Sequence, residues 1–242
     1  MRKQVQHKWN VTPAEARRIQ LELRKVWEGG DRLGKIRRVA GLDAAFVLKE
    51  SQALKPTSAW NTFREANRAI GGVVVYSFPE MEELERAEAE VPLEFPYVPG
   101  LLSFREAPVV LATLMKLKEL PELLFCDGQG YAHPRRFGLA CHLGVLVDRP
   151  AIGCAKQILT GGHETLRSSA GSWAALRDGE ETIGAAVRTR QGVKPVYVSQ
   201  GHRVSLETAN RLTLAVCDGT RIPRPTRDAD RYVSDWKRSR AN

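Results

Sequence analysis

The chain has 242 residues and 43% hydrophobic content, enough to build the core of one large α/β domain or two small ones. No run of about 18 apolar residues is present, which argues against a membrane-spanning helix, and the charged N-terminus lacks the apolar segment of a secretory signal, so a cytoplasmic protein is expected. Lysine and arginine outnumber aspartate and glutamate by 37 to 28, a net charge of +9 that favours a polyanionic partner.

Thr12-Pro13-Ala14-Glu15 predicts a helix start. Thr12 caps, Pro13 suits the first helical position and Glu15 closes a capping box. Ile19, Leu23 and Val26 give that helix one apolar face to about Trp27. Arg38 to Phe46 reads as a buried strand, and Gly71 to Tyr76 as a second. The acidic stretch Glu82 to Glu90 fits the exposed side of a third strand or its turn. A loop stiffened by Pro96 and Pro99 follows, then a helix from Ala107 to Leu120 with Glu106 at its start. Leu123-Leu124-Phe125-Cys126 is continuously apolar, as a central parallel strand requires. Leu139 to Leu146 suits a helix, Ala151 to Ala155 a strand, and Thr160 to Ser172 a polar loop. Thr182 to Arg188 and Val196 to Val198 are short strands, and Leu206 to Cys217 is a helix capped by Ser205. The basic segment from Arg221 onward is expected to be a surface-bound or frayed tail. Strands first, then alternation of strand and helix, give a single mixed-sheet α/β domain over 1–242. Cys126, Cys141, Cys154 and Cys217 form no Cys-x-x-Cys pair and sit among apolar residues, so buried reduced thiols are expected.

Two carboxylates are out of place for a core. Asp43 lies inside one apolar strand and Asp127 ends another, where an unpartnered charge is costly. With Glu106 at a helix start between them, they form an oxygen donor set suited to Mg²⁺ beside a phosphodiester. Lys156 closes the apolar run from Ala151 to Ala155. Alone it reads as a lysine snorkelling to solvent; beside Asp127 it suits a charge on the scissile phosphate. His133, followed by Pro134-Arg135-Arg136, reads as part of an exposed basic turn able to grip phosphate. His202, in the expected turn Ser199-Gln200-Gly201-His202, can ligate metal, order the attacking water, shuttle a proton or simply hydrogen-bond within its loop. Tyr97 is open between a base-stack wedge and a core residue beside Phe95. Gly128 and Gly130 permit close backbone approach to an extruded base.

Pro96-Tyr97-Val98-Pro99-Gly100, Phe104-Arg105-Glu106-Ala107-Pro108, Asp127-Gly128-x-Gly130-x-Ala132-His133-Pro134-Arg135, Gly153-x-Ala155-Lys156 and Val198-Ser199-x-Gly201-His202-Arg203 together resemble the endonuclease V family, over about Pro13 to Arg227. The resemblance implies an RNase H-like fold. It implies hydrolysis, dependent on Mg²⁺ or Mn²⁺, of the second phosphodiester bond 3′ of a deoxyinosine, leaving 3′-hydroxyl and 5′-phosphate ends. It places Asp43, Glu106 and Asp127 on the catalytic carboxylates, and Lys156 and His202 on supporting positions. Tyr97 falls on the wedge aromatic, Pro99 on its rigid loop, and Arg105 and His133 on strand contacts, with Gly128 and Gly130 along the base pocket. Gln129 and Tyr131 depart from the family pattern, and Tyr131 is expected to crowd that pocket. A monomer acting on deaminated DNA or inosine-containing RNA is the leading expectation. Another RNase H-like nuclease acting on inosine-containing RNA or branched DNA is the rival enzyme, and a noncatalytic nucleic-acid-binding module the rival of another class. The carboxylate trio argues against the last, because it would repel phosphate without a metal.

Overall fold

A computed structural model describes residues 6–48 and 66–239. Its strands are β1 (Arg38–Val47), β2 (Arg68–Ser77), β3 (Glu83–Pro92), β4 (Leu123–Cys126), β5 (Ala151–Ala155), β6 (Trp173–Asp178), β7 (Glu181–Val187) and β8 (Val196–His202). They form one sheet in the order β3-β2-β1-β4-β5-β8-β7-β6, with β1, β4 and β5 parallel and the remaining pairs antiparallel. The helices among the described residues are α1 (Pro13–Arg24), α2 (Ser103–Leu114), α3 (Leu139–Val147), α4 (Leu206–Ala215) and α5 (Arg224–Ser239). This is the expected RNase H-like mixed sheet flanked by helices, and no described helix is long and apolar enough to cross a membrane.

The strand alternation separates two cores. Ala40, Leu42, Leu124 and Cys126 face α2 and α3, where Ala107, Val110 and Leu143 meet them. Val39, Leu123 and Phe125 face the other way, toward Ala209 and Leu212 of α4 and Ala229 of α5. β4 is buried along its whole length, as its unbroken apolar sequence required. Thr12 and Glu15 close the capping box of α1, and Ser205 accepts from Thr208 N at the start of α4. All four cysteines are unpaired thiols; Cys126, Cys141 and Cys154 are buried and Cys217 half-buried.

Some elements differ from the sequence reading. α2 starts one turn earlier than Ala107, because Phe95, Leu101 and Phe104 pack together with Ala16 and carry the helix start with them. It ends at Leu114, before the expected Leu120. The Lys118 backbone N–H then donates to Glu85 Oε1 (3.0 Å), a donor that a continuing helix would have kept for itself. Ser199 to His202 are strand rather than turn. β6, absent from the sequence reading, pairs with β7 across a turn in which Gly179 takes φ +63°, a conformation natural to glycine.

The largest difference is the basic tail, which is helix α5 and not a frayed end. Thr226, Ala229 and Val233 are buried against the sheet. Two glycines make room for it. A Cβ on Gly41 would lie 1.9 Å from Pro225 O, and one on Gly72 would lie 2.4 Å from Val233 Cγ2. Tyr76 donates to Asp228 Oδ2 (2.7 Å), and Lys237 Nζ to Phe46 O (3.0 Å), which fixes the helix at both ends.

Candidate active site

The parallel register brings the acids together. Leu42 stands opposite Cys126, and Asp127 N donates to Leu42 O, so Asp43 and Asp127 are neighbours on the sheet face that α5 covers. β5 runs alongside β4 and ends at Ala155, which delivers Lys156 to the same place. Lys156 Nζ lies 2.6 Å from Asp127 Oδ2 and 3.0 Å from Asp230 Oδ2. Glu106, only 9% exposed, enters from the first turn of α2.

Asp230 is the site residue that sequence reasoning missed. It belongs to α5, one residue from buried Ala229, and it faces Lys156 across the site. The signal was present: Ala229, Tyr232, Val233 and Trp236 recur at helical spacing and mark an apolar stripe within an otherwise charged segment.

Electrostatics show what such a cluster lacks. Burial raises the Asp43 carboxyl well above its usual range, and the charges of Asp127 and Asp230 push it further, against Lys156. Burial likewise raises Glu106, reinforced by Asp43 and Asp127 and opposed by Arg105 and Lys156. Asp127 is raised by burial and held down by its pair with Lys156. Lys156 is itself raised, despite burial, by Asp127 and Asp230. Four carboxylates share one lysine, and the excess negative charge is what a hard divalent cation neutralises. As the side chains stand, no three of the His, Cys, Asp and Glu groups among the described residues close around a single point. Lys156 bridges two of the acids instead. The donors fit Mg²⁺ or Mn²⁺ by chemistry, being carboxylate oxygens alone.

Next to Asp127 and Lys156 opens a cleft of about 680 Å³, lined among others by Tyr97, Pro99, Gly128, Gln129, His133 and Leu139. Tyr97 lies along this cleft rather than in the core. Phe95 and Leu101 anchor the loop from below, and Tyr97 stays half-buried on the cleft side. Gly128 lines the wall, where a Cβ would come within 3.3 Å of Leu139.

Other expected site residues take different places. His202 is not with the carboxylates. It pairs with Ala151 at the start of β5, opposite the end that carries Lys156, and its Nδ1 accepts from Glu28 N (3.3 Å). Gly130 is buried under β8, where a Cβ would lie 2.1 Å from Gln200 O, so it serves strand packing rather than the cleft. Arg105, 1% exposed, donates to Phe95 O (3.0 Å) and stacks over Phe46; it holds the Tyr97 loop from inside. Tyr131 stacks on Trp27 at 4.6 Å, and its hydroxyl meets Glu181, outside the cleft.

His133 is not an exposed phosphate grip. It is 3% exposed, accepts from Arg135 N at Nδ1 (3.1 Å) and donates from Nε2 to Gly100 O (3.0 Å). Arg135 is tied to Gln20, and Arg136 to Asp178 and Glu181. His133 thus joins the 131–136 turn to Gly100 along the wall of the cleft. Burial first, then the Arg135 charge, push its ring down from 6.5 to about 4. The unfolded chain therefore binds the proton more readily. The stability that neutral His133 provides is complete above pH 6.5 and is lost as pH falls toward 4. From pH 7 to pH 5 this one group is expected to cost about 2 kcal/mol. Denaturant titrations at both pH values check it; a His133→Gln variant with an undiminished loss would assign the proton to another residue.

Comparison with known proteins agrees with this arrangement. Residues 22–231 match the family profile described as Endonuclease V. An endonuclease V of Roseiflexus castenholzii is 47% identical over 98% of this chain and 99% of its own length. The crystal structure of the endonuclease V of Streptomyces avermitilis aligns with a TM-score of 0.86 at 39% identity, covering 98% of each chain. A Ciona intestinalis endonuclease V, solved in complex with a 24mer DNA containing an inosine followed by a ribo-adenosine, aligns with a TM-score of 0.75 at 28% identity, covering 93% of this chain and 98% of its own.

Proposed function

The chain belongs to the endonuclease V family and is a nuclease, and from that premise we propose that it hydrolyses the second phosphodiester bond 3′ of a deoxyinosine in DNA, in a reaction dependent on Mg²⁺ with Mn²⁺ as substitute. The products are a 3′-hydroxyl and a 5′-phosphate. The observation that carries the reading is the convergence of Asp43, Glu106, Asp127 and Asp230 on Lys156, beside a cleft large enough for a purine. The Ciona relative bound to inosine-containing DNA supports the substrate class.

The carboxylates would hold the cation, which supplies charge neutralisation at a phosphoryl oxygen and acidifies water. Lys156, released from its acid partners, places a compact positive charge at the phosphate. Tyr97 and Pro99 form a stiff wedge beside the cleft, and the extruded base rests against Gly128, Gln129 and Leu139. Arg105 and His133 act on the wedge loop, through Phe95 O and Gly100 O respectively, and not on the substrate.

Tyr97→Ala is expected to weaken binding to inosine-containing duplex by roughly tenfold while changing plain-duplex binding little. Parallel titrations on the two duplexes measure this, and equal losses would sink the wedge role. A cleavage panel of inosine duplex, inosine-containing single-stranded RNA and a four-way junction tests the substrate. The reading predicts strongest cutting of the inosine duplex; preference for the junction would point to a resolvase, and binding without cutting to a noncatalytic module.

A further inference from the structure

Beside the cleft lies a second groove, of about 920 Å³, between the 162–172 segment and β6. Trp173, the first residue of β6, lines it and is 57% exposed. Tryptophan is on average highly buried, and an indole left open on an edge strand is a ready stacking surface. Arg167 and Arg177 line the same groove against a single acid, Glu164. Arg188 Nε donates to Arg167 O (2.6 Å), which adds a third cation at the rim. Exposed aromatic and arginine side chains on one groove, in a chain of net charge +9, match the needs of a single nucleic-acid strand: a face for a base and charges for its phosphates.

A short piece of chain joins the groove to the cleft. Leu159 lines the cleft, and Gly162, bridged to Arg177, lines the groove. Only Thr160 and Gly161 lie between them, so Leu159 and Gly162 are at most about 11 Å apart along the chain. Ile158 and Leu159, 38% and 46% exposed, give that short path an apolar surface.

We propose that this groove is a strand-guiding subsite, in which an unpaired stretch of the substrate running out of the cleft stacks a base on Trp173 and sets its phosphates against Arg167 and Arg177. The inference rests on the proposed function, since it takes the occupant of the cleft to be a nucleic-acid strand.

Trp173→Ala, Trp173→Phe and Arg167→Ala in the full chain test it, by anisotropy titrations in chelator on single strands of 8 and 24 nucleotides bearing one central inosine. Trp173→Ala is expected to weaken the 24-nucleotide complex about tenfold and the 8-nucleotide complex less than twofold, with Trp173→Phe retaining most of the affinity. Arg167→Ala is expected to reduce the slope of log affinity against log salt by about 0.7 for the longer strand. Equal affinity of Trp173→Ala and the parent for the 24-nucleotide strand would overturn the subsite, as would an equal loss on both lengths. The parent's preference for inosine over plain strands judges the functional reading separately, so either conclusion can fail while the other stands.

Discussion

Asp127→Ala is expected to lower cleavage of an inosine-containing duplex by about a thousandfold or more while leaving duplex binding within a few-fold of the parent. Asp127 adjoins Asp43 through the parallel register and holds Lys156 at 2.6 Å, so it connects the acid cluster to the cationic side chain. A site that neutralises phosphoryl charge contributes several kcal/mol to the transition state, and each 1.4 kcal/mol is about tenfold in rate. The fold should survive the change. Lys156 keeps Asp230, and the repulsion that helps raise Asp43 and Glu106 is relieved. Thermal unfolding of the variant near the parent value, together with lost turnover, is the expected pair of results. A variant that cuts at the parental rate would remove Asp127 from the catalytic set.

Gly41→Ala is expected to be among the most damaging single-methyl substitutions in the protein, although it lies in a strand and touches no substrate. The new Cβ would sit 1.9 Å from Pro225 O and 2.0 Å from its carbonyl carbon, and backbone atoms have no rotamer by which to move away. Overpacking of this kind costs about 1–3 kcal/mol, which lowers the melting temperature of a chain this size by roughly 2–12 °C. Cleavage should fall as well, because displacing the start of α5 shifts Asp230 relative to Lys156. Gly30→Ala, at a position with nothing within 4 Å of the added Cβ, is the control. Calorimetry that shows the two variants equally stable would mean that α5 is not seated on the sheet at Gly41.

The central strands were readable because burial on both faces leaves continuous apolar runs, as in Leu123 to Cys126. For the same reason Asp43 and Asp127 stood out: a carboxylate in such a run needs a partner, and each other's neighbourhood is where the register put them. Lys156 gained its meaning from the neighbouring strand end, and that too was inferable. The tail was not read as a helix because charged residues dominate Arg224 to Ser239 and only a narrow stripe is apolar. Missing the helix meant missing Asp230, whose role depends on where α5 lands rather than on its own sequence surroundings. His202 misled for the converse reason: a histidine near glycine and serine looks like a loop ligand, and only the β5–β8 register shows it at the wrong end of the sheet. His133 read as part of an exposed basic turn because Arg135 and Arg136 follow it, and Arg105 was assigned a strand contact by the family resemblance alone. Tertiary packing buried both and turned them toward the backbone of the loop that carries Tyr97, at Phe95 O and Gly100 O.

Four carboxylates and one lysine are proposed to form a metal-dependent nicking site beside a pocket for a deaminated purine. Strand cleavage of an end-labelled duplex carrying one deoxyinosine, with Mg²⁺ and with chelator, tests it most directly. A single nick is expected at the second phosphodiester 3′ of the lesion, with a 5′-phosphate on the released fragment, lost in chelator and restored by added Mg²⁺ or Mn²⁺. A nick that persists in chelator, or an inosine strand left intact under conditions where another nucleic acid is cut, would contradict it.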